Sequence, residues 1–208
     1  MKKIIVIKIG SSILITQRNK LDEFRIAHIA DQVAFLQEED FGVVLVVSGA
    51  VACGNKFINF TTDQQYFKQA AAGLGQAILT ATFTNIFSQK KMGASQLLLT
   101  KHNLNSISNR QKIKKLLEFY IKSNFIAIIN ENDVLDLNSF GGNDHLAGEI
   151  ATIIGAERLL ILSTNETSLF GVGGGETKQE VMNLMKMQNI QANILDGKIQ
   201  NIILNTIL

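Results

Sequence analysis

Short, continuously apolar runs recur along this chain, separated by stretches of helical period, and no other feature limits the fold as much. The runs occupy residues 4–9, 43–47, 96–99, 125–129 and 159–162, with weaker ones at 192–195 and 202–204. Most are apolar at successive positions and do not alternate, the pattern of strands covered on both faces. Between them Ile26, Ile29, Ala30, Val33 and Leu36 repeat at helical spacing. So do Ile113, Leu116, Leu117, Tyr120 and Ile121, and later Leu146, Ile150, Ile153 and Ile154. This alternation predicts an α/β fold with a mainly parallel sheet and helices on both faces. Ligands then bind where the loops leave the carboxyl ends of the strands.

Composition narrows the function. The 208 residues are 46% hydrophobic and 18% charged, with a net charge of +2. That supplies a real core and excludes both a disordered polyelectrolyte and a strongly basic chain. Lys112, Lys114, Lys115 and Lys122 lie opposite the apolar face of their helix and read as solvated surface, so no nucleic-acid partner is expected. A lone cysteine, Cys53, excludes a disulfide framework and any multi-cysteine metal site. The scattered His28, His102 and His145 offer little to a metal cluster, and no metal-ligating residues are assigned. The apolar start after Met1-Lys2-Lys3 imitates a signal peptide, but Lys8 ends it too early, and no run approaches the roughly 18 residues that cross a bilayer. A reduced, soluble, cytoplasmic protein without a membrane partner is expected. There is no proline, where ordinary usage of roughly 5% would give about ten. Element ends therefore fall to Gly, Asn, Asp and Ser. With no linker and no long repeat, residues 1–208 read as a single domain.

The loops after the runs carry the polar chemistry. The first run ends in Lys8-Ile9-Gly10-Ser11-Ser12. A lysine in a buried strand is costly unless its charge meets an anion, and the small residues behind it let the backbone approach that anion with N–H groups exposed. A lysine snorkelling from an edge strand is the alternative. The second run leads into Ser48-Gly49-Ala50-Val51-Ala52-Cys53-Gly54, either a tight turn placing a substrate at a helix start or glycines serving helix–sheet packing. The fourth delivers Asn130-Glu131-Asn132-Asp133, polar groups suited to gripping an ammonium group or a metal-bound nucleotide, or a plain Asx-rich turn. Gly141-Gly142-Asn143-Asp144 opens a helix, with Asn143 as a good N-cap and Asp144 favouring the positive helix end. Finally, Gly171-Val172-Gly173-Gly174-Gly175-Glu176-Thr177-Lys178 precedes a helix containing Val181, Leu184 and Met185. An unencumbered glycine backbone, a lysine and a helix N-terminus are the parts of a phosphate cradle. The loop is not a Walker A sequence and follows no clear strand, so a dinucleotide fingerprint is not read either; a merely flexible loop is the alternative.

Two lysines, glycine-rich turns and a few carboxylates suit phosphoryl transfer, which depends on positioning and charge neutralisation. No Ser–His or Cys–His nucleophile signature stands out. A carboxylate acceptor, with a pKa near 4, is already ionised at pH 7 and needs no general base.

Nearly the whole chain resembles the amino acid kinase family, and within it the members that phosphorylate glutamate. The resemblance rests on motifs in order: KIGSS from Lys8, VSGAVACG from Val47, KQAAAGLGQ from Lys68, QLLLT from Gln96, INEND from Ile129, GGNDHL from Gly141 and GVGGGETK from Gly171. It implies a three-layer αβα sandwich on a mainly parallel sheet, and ATP-dependent phosphorylation of the glutamate side-chain carboxylate, the first step of proline biosynthesis. By the same resemblance Lys8 and Lys178 stabilise the transferring phosphoryl group, with Asp144 organising them. Ser48, Gly49, Asp133 and Asn143 bind glutamate. Lys8, Gly10, Ser11, Ser163, Thr164 and Asn165, with Val172, Gly173, Gly174, Gly175, Glu176, Thr177 and Lys178, bind ATP, whose phosphates Mg²⁺ bridges. A homo-oligomer, dimer or tetramer, is implied too. The chain departs from the family in three ways. Gly142 stands where an aspartate is usual, Ser163-Thr164-Asn165 replaces a Thr-Asp pair, and a segment of a few dozen residues before Gly171 is missing. The C-terminal PUA domain of many bacterial members is also absent from the 208 residues. These departures leave two alternatives: a catalytically degenerate ligand-binding protein, or a kinase of another small acid.

Overall fold

The computed structural model describes residues 2–18, 20–58, 64–164 and 175–208. Its strands are β1 (Lys3–Ile9), β2 (Phe41–Val47), β3 (Ala94–Leu99), β4 (Ile126–Glu131), β5 (Arg158–Ser163) and β6 (Gln191–Asp196). They form one six-stranded sheet in the order β3-β4-β2-β1-β5-β6, and every pairing is parallel. The helices are α1 (Ser11–Leu14), α2 (Glu23–Glu38), α3 (Ala50–Gly54), α4 (Gln64–Gln89), α5 (Ile107–Lys122), α6 (Asn143–Ile154), α7 (Gly175–Met187) and α8 (Ile202–Ile207).

Side chains alternate across a strand, so each strand feeds both faces of the sheet. On one face Val6, Val44, Val46, Ala127, Ile129, Leu159 and Ile161 pack against Leu117 of α5, Leu146 and Ile150 of α6, and Val181 and Met185 of α7. On the other, Ile5, Ile7, Ile9, Leu45, Ile128 and Leu160 meet Ile29 and Val33 of α2, Phe83 and Phe87 of α4, and Ile203 of α8. Two apolar layers around a parallel sheet make the αβα sandwich, and burial on both sides explains the unbroken apolar runs.

The order of the strands places the site. From β1 the chain moves to β2 on one side, runs out to β3 and β4, then crosses to β5 and β6 on the other. The loops after β1 and β5 therefore diverge between neighbouring strands, where α/β sheets open a crevice.

Three local expectations differ from the structure. Residues 202–204 are not a strand but open α8. A short apolar run fits either state, and here Gln32 of α2 decides: its buried Oε1 accepts the N–H groups of Ile203 and Leu204, at 3.0 and 3.4 Å, capping the helix from outside. The fourth strand does not stop at Ile129 but continues through the buried Asn130 and Glu131. Gly54, in the motif after β2, serves helix–helix packing, not helix–sheet packing. A Cβ on Gly54 would lie 1.8 Å from the Ala71 carbonyl oxygen and one on Gly75 1.7 Å from that of Ala50, so α3 and α4 touch backbone to backbone. The 26-residue α4 has no counterpart in the periodic patterns of the sequence, because small residues such as Ala70, Ala71, Ala72 and Gly73 blur its apolar stripe.

Candidate active site

Lys8 lies on an interior strand, between β2 and β5, so the edge-strand reading is excluded. It is only 8% exposed. It shares a face with Val6, the face covered by α6, and the first turn of α6 carries Asp144. The Asp144 carboxylate, 2% exposed, puts Oδ1 at 2.7 Å from the Lys8 Nζ. Its Oδ2 lies 4.0 Å from the Lys178 Nζ, in the first turn of α7. Gly148 lets α7 come close enough: a Cβ there would stand 3.3 Å from Val181 and 3.6 Å from Leu184. Two ammonium groups thus meet one buried carboxylate, an arrangement of charges suited to receiving an anion.

Around this centre the sheet delivers the remaining residues along one edge. After β1, Gly10 sits beneath the lysine; a Cβ there would lie 3.6 Å from the Lys8 Nζ and 3.1 Å from the Leu162 carbonyl. Its amide donates to that same carbonyl at 2.9 Å. The amides of Ser11 and Ser12 open α1, where a helix has no internal acceptors for its first N–H groups. After β5, the Thr164 amide donates to Ser12 Oγ at 3.3 Å, tying the two diverging loops together, with Ser163 just before it. After β2, the Ser48 amide donates to the Ile9 carbonyl at 3.1 Å. Gly49 then turns with φ +104° against Ile15, a left-handed backbone that suits glycine. Burial pushes the Cys53 thiol behind it up to about 11, which keeps it from acting as a nucleophile.

After β4, Asp133 accepts the Asn138 amide at 2.9 Å, and burial holds its carboxyl above the ordinary value. Asn143 is not the N-cap of α6. That place belongs to Gly142, at φ +119° and ψ +157°, a region open essentially only to glycine. Asn143 instead turns Oδ1 back to the strand and accepts the Glu131 amide at 3.3 Å. Gly175, Glu176 and Thr177 form the start of α7 with Lys178. Asn165, Val172, Gly173 and Gly174 lie outside the described residues.

Two further buried polar groups lie at this edge, neither assigned a site role from the sequence. Glu131 is 5% exposed and accepts the Phe140 amide at 2.7 Å. Burial, opposed by that bond and reinforced by the charge of Asp133, pushes its carboxyl up to about 7. Gln76 of α4 is 7% exposed and accepts from Asn130 Nδ2 at 2.7 Å on the opposite face of the sheet. The signal for Glu131 is polarity continuing past an apolar run, which also fits a turn; Gln76 sits among the small residues of α4 and carries no such signal. Among the described residues no group of three or more His, Cys, Asp or Glu is arranged to hold a metal ion. Lysines around a carboxylate fit a phosphate chain better than a bare cation, and magnesium commonly arrives on such a chain. No helix among the described residues is long and apolar enough to cross a membrane.

Comparison with known proteins gives this arrangement a family. A model described as the amino acid kinase family matches residues 3–166. The chain belongs to the amino acid kinase family. Curated relatives include a protein named glutamate 5-kinase from Syntrophus aciditrophicus, 39% identical over 166 residues, or 78% of this chain and 43% of that protein. Glutamate 5-kinase 2 of Bacillus subtilis is 32% identical over 92% of this chain and 52% of its own length. The glutamate 5-kinase of Dehalococcoides mccartyi is 31% identical over an aligned stretch of 242 positions, 97% of this chain and 65% of that protein. That stretch exceeds the 208 residues here, so this relative of the family carries additional residues within it. The chain spans about half the length of the curated relatives it matches. Among solved structures, the fold matches UMP kinase from Ureaplasma parvum with a TM-score of 0.64 at 16% identity, covering 99% of this chain and 95% of that one. Carbamate kinase from Giardia lamblia matches at 0.63 and 9% identity, covering 98% and 96%.

Proposed function

We propose that this chain transfers the γ-phosphoryl group of ATP to the side-chain carboxylate of L-glutamate, producing glutamyl 5-phosphate at the entry to proline biosynthesis. One observation carries the reading: Lys8 and Lys178, far apart in sequence, converge on Asp144 at 2.7 and 4.0 Å. The curated relatives named glutamate 5-kinase favour glutamate as the acceptor. In this reading a carboxylate oxygen attacks the γ-phosphorus, the bond from phosphorus to the β–γ bridging oxygen breaks, and ADP leaves with the electron pair. The acceptor is already an anion, so no residue has to remove a proton. Lys8 and Lys178 bring two anions together and neutralise charge developing on the transferred oxygens. Asp144 holds both ammonium groups in place before the substrates arrive. Gly10, Ser11, Ser163, Thr164 and Asn165, with residues 172–178, hold the nucleotide; Ser48, Gly49, Asp133 and Asn143 hold the acceptor. Mg²⁺, when bound, neutralises the ATP phosphates.

The test is to trap the acyl phosphate with hydroxylamine in the presence of ATP, Mg²⁺ and L-glutamate. The reading expects hydroxamate, reduced about 10²–10³-fold by Lys178→Ala. Hydroxamate no higher than in that variant rejects it. A panel of small acids and phosphates tests the acceptor, and light scattering tests assembly as a cytoplasmic dimer or tetramer. A second reading, binding without turnover, is favoured by Gly142: its φ of +119° suits the glycine and disfavours the aspartate usual in the resemblance. Calorimetry showing glutamate binding but no ATP binding would favour it.

A further inference from the structure

We infer that Glu131 is a positioning residue that clasps the acceptor loop, residues 132–142, across the end of the sheet. The acceptor part of this inference rests on the proposed kinase function; the clasp itself does not.

The clasp closes in both directions. The Glu131 side chain accepts the backbone N–H of Phe140 at 2.7 Å, and the nearby Gly142 N–H also favours its charged form. The Glu131 backbone N–H donates to Asn143 Oδ1 at 3.3 Å. Strand β4 and the first residue of α6 thus hold each other over the intervening loop. Within the loop, Asn138, Gly141 and Gly142 adopt positive φ values of 57°, 78° and 119°, conformations that persist when their surroundings fix them. Asp133 joins the far end of the same loop through Asn138. Asp144 needs the clasp less, because Leu146, Ala147 and Ile150 anchor α6 in the core. Glu131 therefore places Asp133 and Asn143, the acceptor side, more than the two lysines.

The charged groups facing Glu131 are Asp133 on the loop and His145 of α6. Desolvation outweighs its hydrogen bonds, so the carboxyl titrates near 7 while the loop is closed, against 4.5 ordinarily. An open loop rehydrates the carboxylate and returns it toward the lower value. By linkage, rising pH then favours opening.

Hydrogen exchange at the Phe140 amide, corrected for its intrinsic rate, reads the clasp without any catalysis. In the wild-type chain protection should fall about tenfold between pH 6 and pH 8. Glu131→Gln keeps an acceptor oxygen and cannot ionise, so its protection should not vary with pH. Glu131→Leu should lose protection by about 10- to 100-fold at every pH. In kinase assays Glu131→Leu should raise KM for the acceptor about tenfold or more, leaving KM for ATP unchanged. Equal protection in the Leu variant, or the same pH dependence in the Gln variant, overturns the clasp. Equal increases in both KM values overturn its acceptor role. If the wild-type chain phosphorylates no acceptor, the kinase proposal fails, and the exchange experiment still decides the clasp.

Discussion

Removing the Asp144 carboxylate tests the centre of the structure without any assumption about catalysis. Lys8 is 8% exposed on an interior strand, and Asp144 Oδ1 is its partner at 2.7 Å. Asp144→Asn keeps the shape and deletes the charge, leaving a buried ammonium group uncompensated. Breaking one side of a buried pair costs about 3–5 kcal/mol. Unfolding entropy near 2.1 cal/mol/K per residue gives about 0.44 kcal/mol/K for 208 residues, so Tm should fall by about 7–11 °C. Lys178, 18% exposed at its side chain, adds less because its longer contact is nearer water. The double variant Lys8→Met/Asp144→Leu removes both charges and fills their space, and should recover to within about 1 kcal/mol of wild type. Calorimetric unfolding of wild type, Lys8→Met, Asp144→Leu and the double variant completes the cycle. A Tm change under about 2 °C for Asp144→Asn, or losses that simply add in the double variant, would refute the reasoning.

Other predictions follow from contacts away from that pair. Gly75→Ala places a methyl group 1.7 Å from the Ala50 carbonyl oxygen, so it should force α3 off α4 and lower Tm markedly in a thermal melt, whereas Gly155→Ala, with open space around it at φ +67°, should cost only about 1–2 kcal/mol. Gln32→Leu strands the Ile203 and Leu204 amides and should cost about 1–3 kcal/mol by denaturant titration. The raised Glu131 value, about 7 against 4.5, means that the native state holds a proton the unfolded chain has released. Its stabilisation is complete below pH 4.5 and declines as pH rises through 7, on the order of 3 kcal/mol in all. Glu131→Gln should therefore gain stability relative to wild type at pH 8 compared with pH 5, as chemical denaturation at the two pH values will read.

The apolar runs reveal the parallel sheet because strands buried on both faces leave no room for polar alternation, and Lys8 stands out as the exception. What the sequence hides is anything decided by a distant partner. Residues 202–204 have a strand's composition, yet they open a helix whose first amides are received by Gln32, far away in α2. Asn143 has the chemistry of an N-cap, yet Gly142 takes that place and frees its side chain for Glu131. Glu131 reads as a turn residue because its burial depends on α6 folding back over β4. The glycines at 54 and 75 signal close packing without naming the surface they meet. The convergence of Lys8 and Lys178 follows from Gly148, whose missing side chain lets α7 settle on α6, a relation that no local pattern contains.

Whether that convergence holds a polyphosphate is the central question about the site. Titration calorimetry with Mg²⁺ and a non-hydrolysable ATP analogue asks this directly, using Lys8→Met and Lys178→Met beside Lys114→Met, a change on the exposed face of α5. Saturable one-site binding is predicted for wild type and Lys114→Met, weakened about tenfold or more in each of the other two. No binding by wild type, or binding indifferent to both site lysines, would contradict it.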